Sequence, residues 1–190
     1  MYACGGRKHS SYTRLRHAYS LLATLAHFVT VLVADDLRLN RILIKRKLNQ
    51  LLLPELTVTE AQTGEEALSL LTEGTFDLAL LDEHMTPGGL KGTDVSRRVR
   101  QIEMMGDGGS NDDGEGRSNT PRSRVPMVLI GCTGNADMDE YISEARQCGM
   151  DTTIGKPLPP NFDEMVTTLM LQLCDRKMRA SGSDSKEQED

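Results

Sequence analysis

The stretch Leu78-Ala79-Leu80-Leu81-Asp82-Glu83-His84-Met85 decides how this chain folds. An apolar run ends abruptly in an acid, and Thr86, Pro87 and Gly88 follow. A short apolar run bounded by turn residues has the character of a strand buried on both faces, as in a parallel sheet. In open α/β sheets ligands bind outside the carboxyl ends of such strands, which puts Asp82 where chemistry is expected. Taken alone, an acid in that position more often caps a helix or forms a turn. Its neighbours have to decide.

Working outward, the same pattern recurs. Thr30-Val31-Leu32-Val33-Ala34 breaks into Asp35-Asp36, and Leu56 to Ala61 alternates with β-branched residues. Phe76 to Asp82 is the third strand, Val125 to Ile130 the fourth, ending in Gly131-Cys132-Thr133-Gly134, and Asp151 to Gly155 a short fifth before Lys156-Pro157. Between them, helices are predicted. The first presents Leu39, Ile42, Leu43, Lys47 and Leu51 on one side and Arg38, Arg41, Lys45 and Arg46 on the other, with Pro54 ending it. A second opens at Thr63-Gly64-Glu65-Glu66 and stops at Gly74. A third is capped by Thr93 or Asp94 and runs through Met105, a fourth spans Ala136 to Cys148 with Gly149 as its cap, and a fifth spans Asn161 to Cys174. Five strands alternating with five helices imply a doubly wound α/β fold, a parallel (βα)5 sheet of flavodoxin-like order 2-1-3-4-5.

The flanks carry less. Residues 1–29 form a basic extension with no acid; it fits an organelle transit peptide, a linker from a longer parent or a signal peptide, but its apolar run is too short to span a bilayer. His9, His17 and His27 there lack the partners a metal or phosphotransfer site needs. Residues 30–175 make the domain, residues 106–124 contain no apolar residue and are expected to be a flexible insertion, and 176–190 a disordered polar tail. The net charge of −6 argues against a general nucleic-acid-binding surface. Four scattered cysteines without a C-x-x-C pair fit free thiols in a reducing, cytoplasmic compartment, or an organelle if the extension is a transit peptide.

With that strand order, one crevice receives Asp35 and Asp36 from strand one, Asp82 from strand three, Thr133 from strand four and Lys156 from strand five. Three neighbouring carboxylates repel one another and stay ionised only beside a hard cation or a lysine. Mg²⁺ suits such a site because it takes few protein oxygens and keeps water or phosphate oxygens. A carboxylate facing a metal can accept a phosphoryl group, with lysine and threonine clamping its oxygens. Each residue has a plainer role as cap, strand-end hydroxyl or solvated charge, but their joint arrival at one edge does not.

Here the sequence resembles the receiver domain of two-component response regulators, in pattern nearest to receivers of hybrid histidine kinases. The likeness rests on Val31-Leu32-Val33-Ala34-Asp35-Asp36 with Asn40-Arg41, on Ala61 to Leu68, on Leu81-Asp82-Glu83-His84-Met85, and on Gly149-Met150-Asp151 with Lys156-Pro157. The resemblance implies phosphorylation of Asp82 by a phosphohistidine donor, either a histidine kinase or a histidine phosphotransfer protein. It also implies Mg²⁺ on Asp36, Asp82 and the His84 backbone carbonyl, with Asp35 assisting through water. Thr133 and Lys156 would engage the phosphoryl group, and His84 and Asn135 would tune its hydrolysis. Such a protein is a signalling phosphoacceptor that catalyses only its own phosphorylation and dephosphorylation.

The sequence departs from the family pattern in two places. The loop Met85 to Gly92 is longer by about two residues, and the aromatic three positions before the lysine is replaced by Thr153. These departures motivate a second reading, a receiver fold that binds partners without phosphorylation. A third, an Asp-nucleophile phosphatase, needs a second Asp where His84 stands. No output domain is recognisable after residue 175, so the expectation is a stand-alone receiver or a piece of a larger relay protein.

Overall fold

The computed structural model describes residues 29–51, 56–105, 125–134 and 139–183. The expectations for residues 1–28, for the 106–124 insertion, for Asn135 and for 184–190 lie outside the described residues. The elements are β1 (Val29–Ala34), α1 (Arg38–Leu48), β2 (Leu56–Ala61), α2 (Gly64–Glu73), β3 (Leu78–Asp82), α3 (Gly92–Met105), β4 (Val128–Thr133), α4 (Asp139–Gln147), β5 (Thr152–Gly155) and α5 (Phe162–Ser183). The five strands form one sheet in the order β2-β1-β3-β4-β5, every neighbouring pair parallel. The flavodoxin-like order is the predicted one.

Alternation along each strand sends successive side chains into two cores, one on either side of the sheet. Val31, Val33, Leu78, Leu80, Ile130 and Ile154 meet α1 and α5 through Ile44, Leu48, Phe162, Val166 and Met170. Leu32, Ala34, Ala79, Leu81 and Leu129 meet α2, α3 and α4 through Ala67, Leu71, Val95, Val99 and Ala145. The register carries the site: Ala34 pairs with Leu81, Asp82 with Cys132, Cys132 with Ile154 and Thr133 with Gly155. The residues that follow Ala34, close β3, close β4 and follow Gly155 therefore emerge at one edge.

Besides shifts of one or two residues at the starts of β1, β3 and β5, several boundaries and faces differ from the expectation. Helix α1 ends at Leu48, well before Pro54, and turns a different face inward: Arg41, Ile44 and Leu48 are buried, while Leu37, Leu39, Ile42 and Leu43 are exposed. Two apolar stripes with helical spacing compete here; of the apolar residues in the predicted one only Leu51, beyond the helix end, is buried, and the face carrying Ile44 and Leu48 wins. Strand β4 begins later than predicted, at Val128, and runs on past Ile130 so that Thr133 is its last residue. Of the two residues expected to cap α3, Thr93 instead donates its backbone N–H and hydroxyl to Glu83 at 3.1 and 3.0 Å, while Asp94 accepts from the Lys91 N–H at 3.3 Å. Helix α5 continues to Ser183 through residues expected in a disordered tail. An Arg179–Asp175 pair one turn apart and a contact of Lys177 with Asp77 hold this last part.

Helix α2 opens where predicted, and Thr63 Oγ1 caps it by accepting from the Glu66 N–H at 3.1 Å. Gly149 closes the turn after α4 with a φ of +88°, a conformation glycine adopts without penalty.

Candidate functional site

Asp35 leaves β1 completely buried, and every polar atom it has is engaged. Its N–H donates to Ala61 at 3.1 Å, and its carbonyl accepts from Arg41 Nη1 at 2.7 Å. Its Oδ1 accepts from the Leu37 N–H and from Asn40, at 2.9 and 3.0 Å, which starts α1. The remaining oxygen, Oδ2, lies 2.6 Å from Lys156 Nζ. Asp36, next in sequence, is exposed. Asp82 closes β3 almost fully buried, its Oδ1 2.8 Å from the same ammonium. Lys156 thus bridges two acids. Oxygens of Asp35, Asp36 and Asp82 all lie within 4.8 Å of one another.

These charges set one another's titration. Burial pushes the Asp82 carboxyl above its usual range; Lys156 works against this, and the charges of Asp35 and Asp36 add to it. Burial alone would lower the Lys156 ammonium, but its bonds to Asp35 and Asp82 prevail and raise it. The result is a lysine firmly charged beside an acceptor carboxylate that carries excess negative potential around it.

Thr133 is buried at the end of β4, and its carbonyl accepts from the Lys156 N–H at 3.0 Å. That bond ties the threonine strand to the lysine. His84 is exposed two residues past Asp82, and Asn135 lies outside the described residues. The structure accordingly brings together Asp35, Asp36, Asp82 and Lys156 by distance and places Thr133 beside them by register.

Three positioning side chains escaped the sequence reading. Arg41 lies beneath the Asp35-Asp36 turn. Glu83, 2 % exposed, grips the start of α3 through Thr93, while its carbonyl accepts from the Gly92 N–H at 3.3 Å, so the loop between β3 and α3 is closed at both ends. Burial raises the Glu83 carboxyl, with Thr93 opposing. Glu65 of α2 accepts from the Leu90 N–H at 2.8 Å and holds the far side of the same loop. Only Glu65 carried a local signal, as an acid in the first turn of a helix.

Helix α1 and the segment after β5 enclose a cavity of about 690 Å³. Leu43, Ile44, Lys47, Pro157, Leu158 and Lys156 line it, so the lysine faces both the acidic cluster and this apolar groove. Among the described residues no helix is long and apolar enough to cross a membrane.

A family model of the response regulator receiver domain matches residues 31–106. The chain carries a response regulator receiver domain. Among curated relatives, the virulence sensor protein BvgS of Bordetella pertussis is 34% identical over 128 residues, 67% of this chain and 9% of that protein. Stress response regulator protein 1 of Debaryomyces hansenii is 28% identical over 73% of this chain and 48% of its own length. The receiver thus spans less than two thirds of the curated relatives it matches. The receiver domain of the histidine kinase CKI1 from Arabidopsis thaliana, solved in complex with Mg²⁺, shares the fold at a TM-score of 0.56 and 23% identity, covering 74% of this chain and 91% of that one. The Francisella response regulator 1452 receiver domain aligns at a TM-score of 0.55 and 22% identity, covering 78% and 98%. The receiver is thus a signalling module and not a metabolic enzyme.

The donor set of this receiver suits Mg²⁺. It is three hard carboxylate oxygens with no nitrogen or sulfur among them, and one of the acids, Asp36, is exposed and able to share its cation with water.

Proposed function

We propose that this receiver accepts a phosphoryl group on Asp82 from a phosphohistidine donor, a histidine kinase or a histidine phosphotransfer protein, with Mg²⁺ held at the acidic cluster. The observation that carries this reading is Lys156 Nζ at 2.8 Å from Asp82 Oδ1 in a cluster of three acids. Asp36, Asp82 and the His84 carbonyl would hold the cation, and Asp35, engaged by four donors, would assist from beside it. When bound, Mg²⁺ offsets the negative charge of the acceptor and of the incoming phosphoryl oxygens.

An Asp82 carboxylate oxygen attacks phosphorus while the P–N bond to the donor imidazole breaks; the imidazole nitrogen leaves with the bonding pair and takes a proton from water. Lys156 already stands beside the acceptor and pairs with a phosphoryl oxygen as it arrives. Thr133 supplies a hydroxyl donor from the neighbouring strand end, and His84 and Asn135 flank the acyl phosphate and tune its hydrolysis. The donor approaches over α1, where Leu39, Ile42 and Leu43 are exposed beside the groove that Lys156 lines. An apolar patch next to a charged centre is the form of a docking surface. The receiver works in a reducing, cytoplasmic setting, consistent with the free Cys132, Cys148 and Cys174.

Incubation with acetyl phosphate and Mg²⁺ tests the chemistry. The expected product is an acid-stable, hydroxylamine-labile adduct that Asp82→Asn abolishes. An unmodified mass from folded wild-type protein would sink the proposal. The second reading, a binding module that needs no phosphorylation, is favoured by Thr153, which stands beside Gly131 where a relay aromatic was expected. It gains if Asp82→Asn equals wild type in every partner assay.

A further inference from the structure

We propose that Arg41 is a positioning residue for the acidic site: its guanidinium fixes the backbone of the Asp35-Asp36 turn and thereby sets the affinity of the receiver for a divalent cation. The inference rests on the metal-dependent reading above and extends it to a residue that touches no ligand.

Arg41 is an arginine only 5% exposed, on a helix face that otherwise carries Ile44 and Leu48 into the core. Arginine is seldom buried unless its donors are used. Here they point at the site. Nη1 donates to the Asp35 carbonyl at 2.7 Å and lies 3.3 Å from the Asp36 carbonyl. Nε donates to Glu60 Oε2 at 3.1 Å, and Lys45 holds the other oxygen of Glu60 at 3.1 Å. The chemistry of the strand end explains the need. Strand β2 runs out at Ala61, whose carbonyl takes the Asp35 N–H, so no further β2 amide takes part in the described ladder beyond that pair. The Asp35 carbonyl is left facing inward without a strand partner, and Arg41 supplies the missing donor.

One guanidinium therefore fastens two successive peptide units whose side chains are the two acids that follow β1 in the cluster. Its own orientation is fixed from β2 by Glu60. A planar fork with several donors can do this, whereas a lysine in the same place offers a single ammonium on a flexible stem. Partners one shell out from a metal ligand commonly govern affinity through orientation. The alternative is that Arg41 acts only through its charge or only by holding the fold together. Those alternatives predict different results. A cation beneath a cation site repels Mg²⁺, so its removal on electrostatic grounds alone tightens binding. A purely structural role lowers thermal stability and leaves the affinity of the folded protein unchanged.

The test is calorimetric titration of MgCl₂ into the full chain carrying Arg41→Lys, Arg41→Gln or Glu60→Gln, at a temperature where circular dichroism shows each protein folded. Arg41→Lys and Arg41→Gln are expected to weaken Mg²⁺ binding by roughly 10-fold, the lower end of what outer-shell partners contribute. Glu60→Gln, outside the site and half-exposed, releases the anchor of Arg41 and is expected to weaken binding by a smaller factor. It keeps the question decidable if the arginine variants do not fold. Wild-type affinity in folded Arg41→Lys, or in Glu60→Gln where the arginine variants do not fold, overturns the proposal, as does tighter binding by Arg41→Gln. Wild-type protein that takes up no Mg²⁺ overturns the underlying reading of the acidic site, and this outcome is distinguishable because no variant is needed to see it.

Discussion

Lys156 places its ammonium 2.6 Å from Oδ2 of Asp35, a carboxylate with no exposed surface, and the same ammonium serves Asp82 at 2.8 Å. The two acids share one ammonium counter-ion. Lys156→Met keeps the aliphatic stem and removes the charge, leaving buried negative charge uncompensated. Taking one partner from a fully buried pair costs about 3–5 kcal/mol. The lysine is one-fifth exposed, so a loss of about 2–3 kcal/mol is expected in metal-free urea denaturation. Saturating Mg²⁺ should restore part of that loss, because a second cation then neutralises the cluster. Equal losses with and without Mg²⁺ would count against the metal reading.

Protonation of Asp82 follows from its surroundings, and the sign can be worked out. Its folded carboxyl is raised, chiefly by burial. The folded protein keeps a proton there at pH values where the unfolded chain has lost it. The stability contribution is therefore fully present below the ordinary carboxylate range and is lost as pH rises through the raised value. Asp82→Asn removes this titration, while Glu83, raised in the same sense, stays in both proteins and cancels in the difference. In metal-free buffer the variant should gain on wild type as pH rises from the ordinary carboxylate range through the raised titration of Asp82. Urea midpoints across that range measure it. A difference that stays flat with pH would show that Asp82 is not strained by its neighbours.

The acids and the lysine of this site were legible because each closes or follows a run with strand character, and the alternation of strands with helices brings those ends together. The outward face of α1 was not. Leu39, Ile42 and Leu43 have helical spacing, as do Ile44 and Leu48, and no local rule ranks the two stripes. The choice is made at long range, where Arg41 reaches the Asp35 carbonyl and Glu60 of β2 holds it there. Glu83 was hidden for the same reason. Its partner Thr93 lies ten residues on, across a loop whose closure only the folded chain reveals. The length of α5 was hidden in charge pairs, Arg179 with Asp175 and Lys177 with Asp77, in a stretch whose composition alone suggests disorder.

The exposed stripe on α1 separates docking from chemistry. Leu43 is 48% exposed beside the groove lined by Lys156. Leu43→Asp on such a surface should change stability by less than about 0.5 kcal/mol. Phosphorylation by acetyl phosphate should be unaffected, since a small donor needs no docking surface. Transfer from a purified phosphohistidine-bearing phosphotransfer protein should fall by 10-fold or more, in line with roughly 1–2 kcal/mol for a buried interface side chain. Unchanged transfer from the protein donor would place the docking surface elsewhere.

Gly92 offers a check on the loop that the sequence marks as unusual. A Cβ there would lie 2.5 Å from the Asp82 carbonyl oxygen and 3.1 Å from its carbon, both backbone atoms of the acceptor. Neither can move without displacing the end of β3. Gly92→Ala is therefore expected to lose about 1–3 kcal/mol of stability, the range for overpacking, and to slow acetyl phosphate labelling of Asp82 in the protein that remains folded. Thermal melts and intact-mass time courses read the two effects independently. Labelling at the wild-type rate would show that the loop does not set the acceptor's position.

Tyr141 and Gly131 make a coupled pair under β4. The Tyr141 hydroxyl is buried and has no hydrogen-bond partner among the described residues, and a Cβ on Gly131 would lie 2.6 Å from that oxygen. A buried hydroxyl without a partner costs about 1–3 kcal/mol of desolvation, so Tyr141→Phe should leave stability unchanged or raise it by about 1 kcal/mol. Gly131→Ala in the wild-type background should be destabilising, because Met150 Sδ also lies 2.8 Å from the new atom and blocks a sideways escape. Removing the hydroxyl vacates the nearest obstacle. The double variant should therefore recover part of the Gly131→Ala loss, with a coupling of about 0.5–3 kcal/mol, the span seen for residues in contact. Strictly additive effects would mean that the hydroxyl lies elsewhere in solution, and a clear loss of stability in Tyr141→Phe alone would mean that it has found a partner.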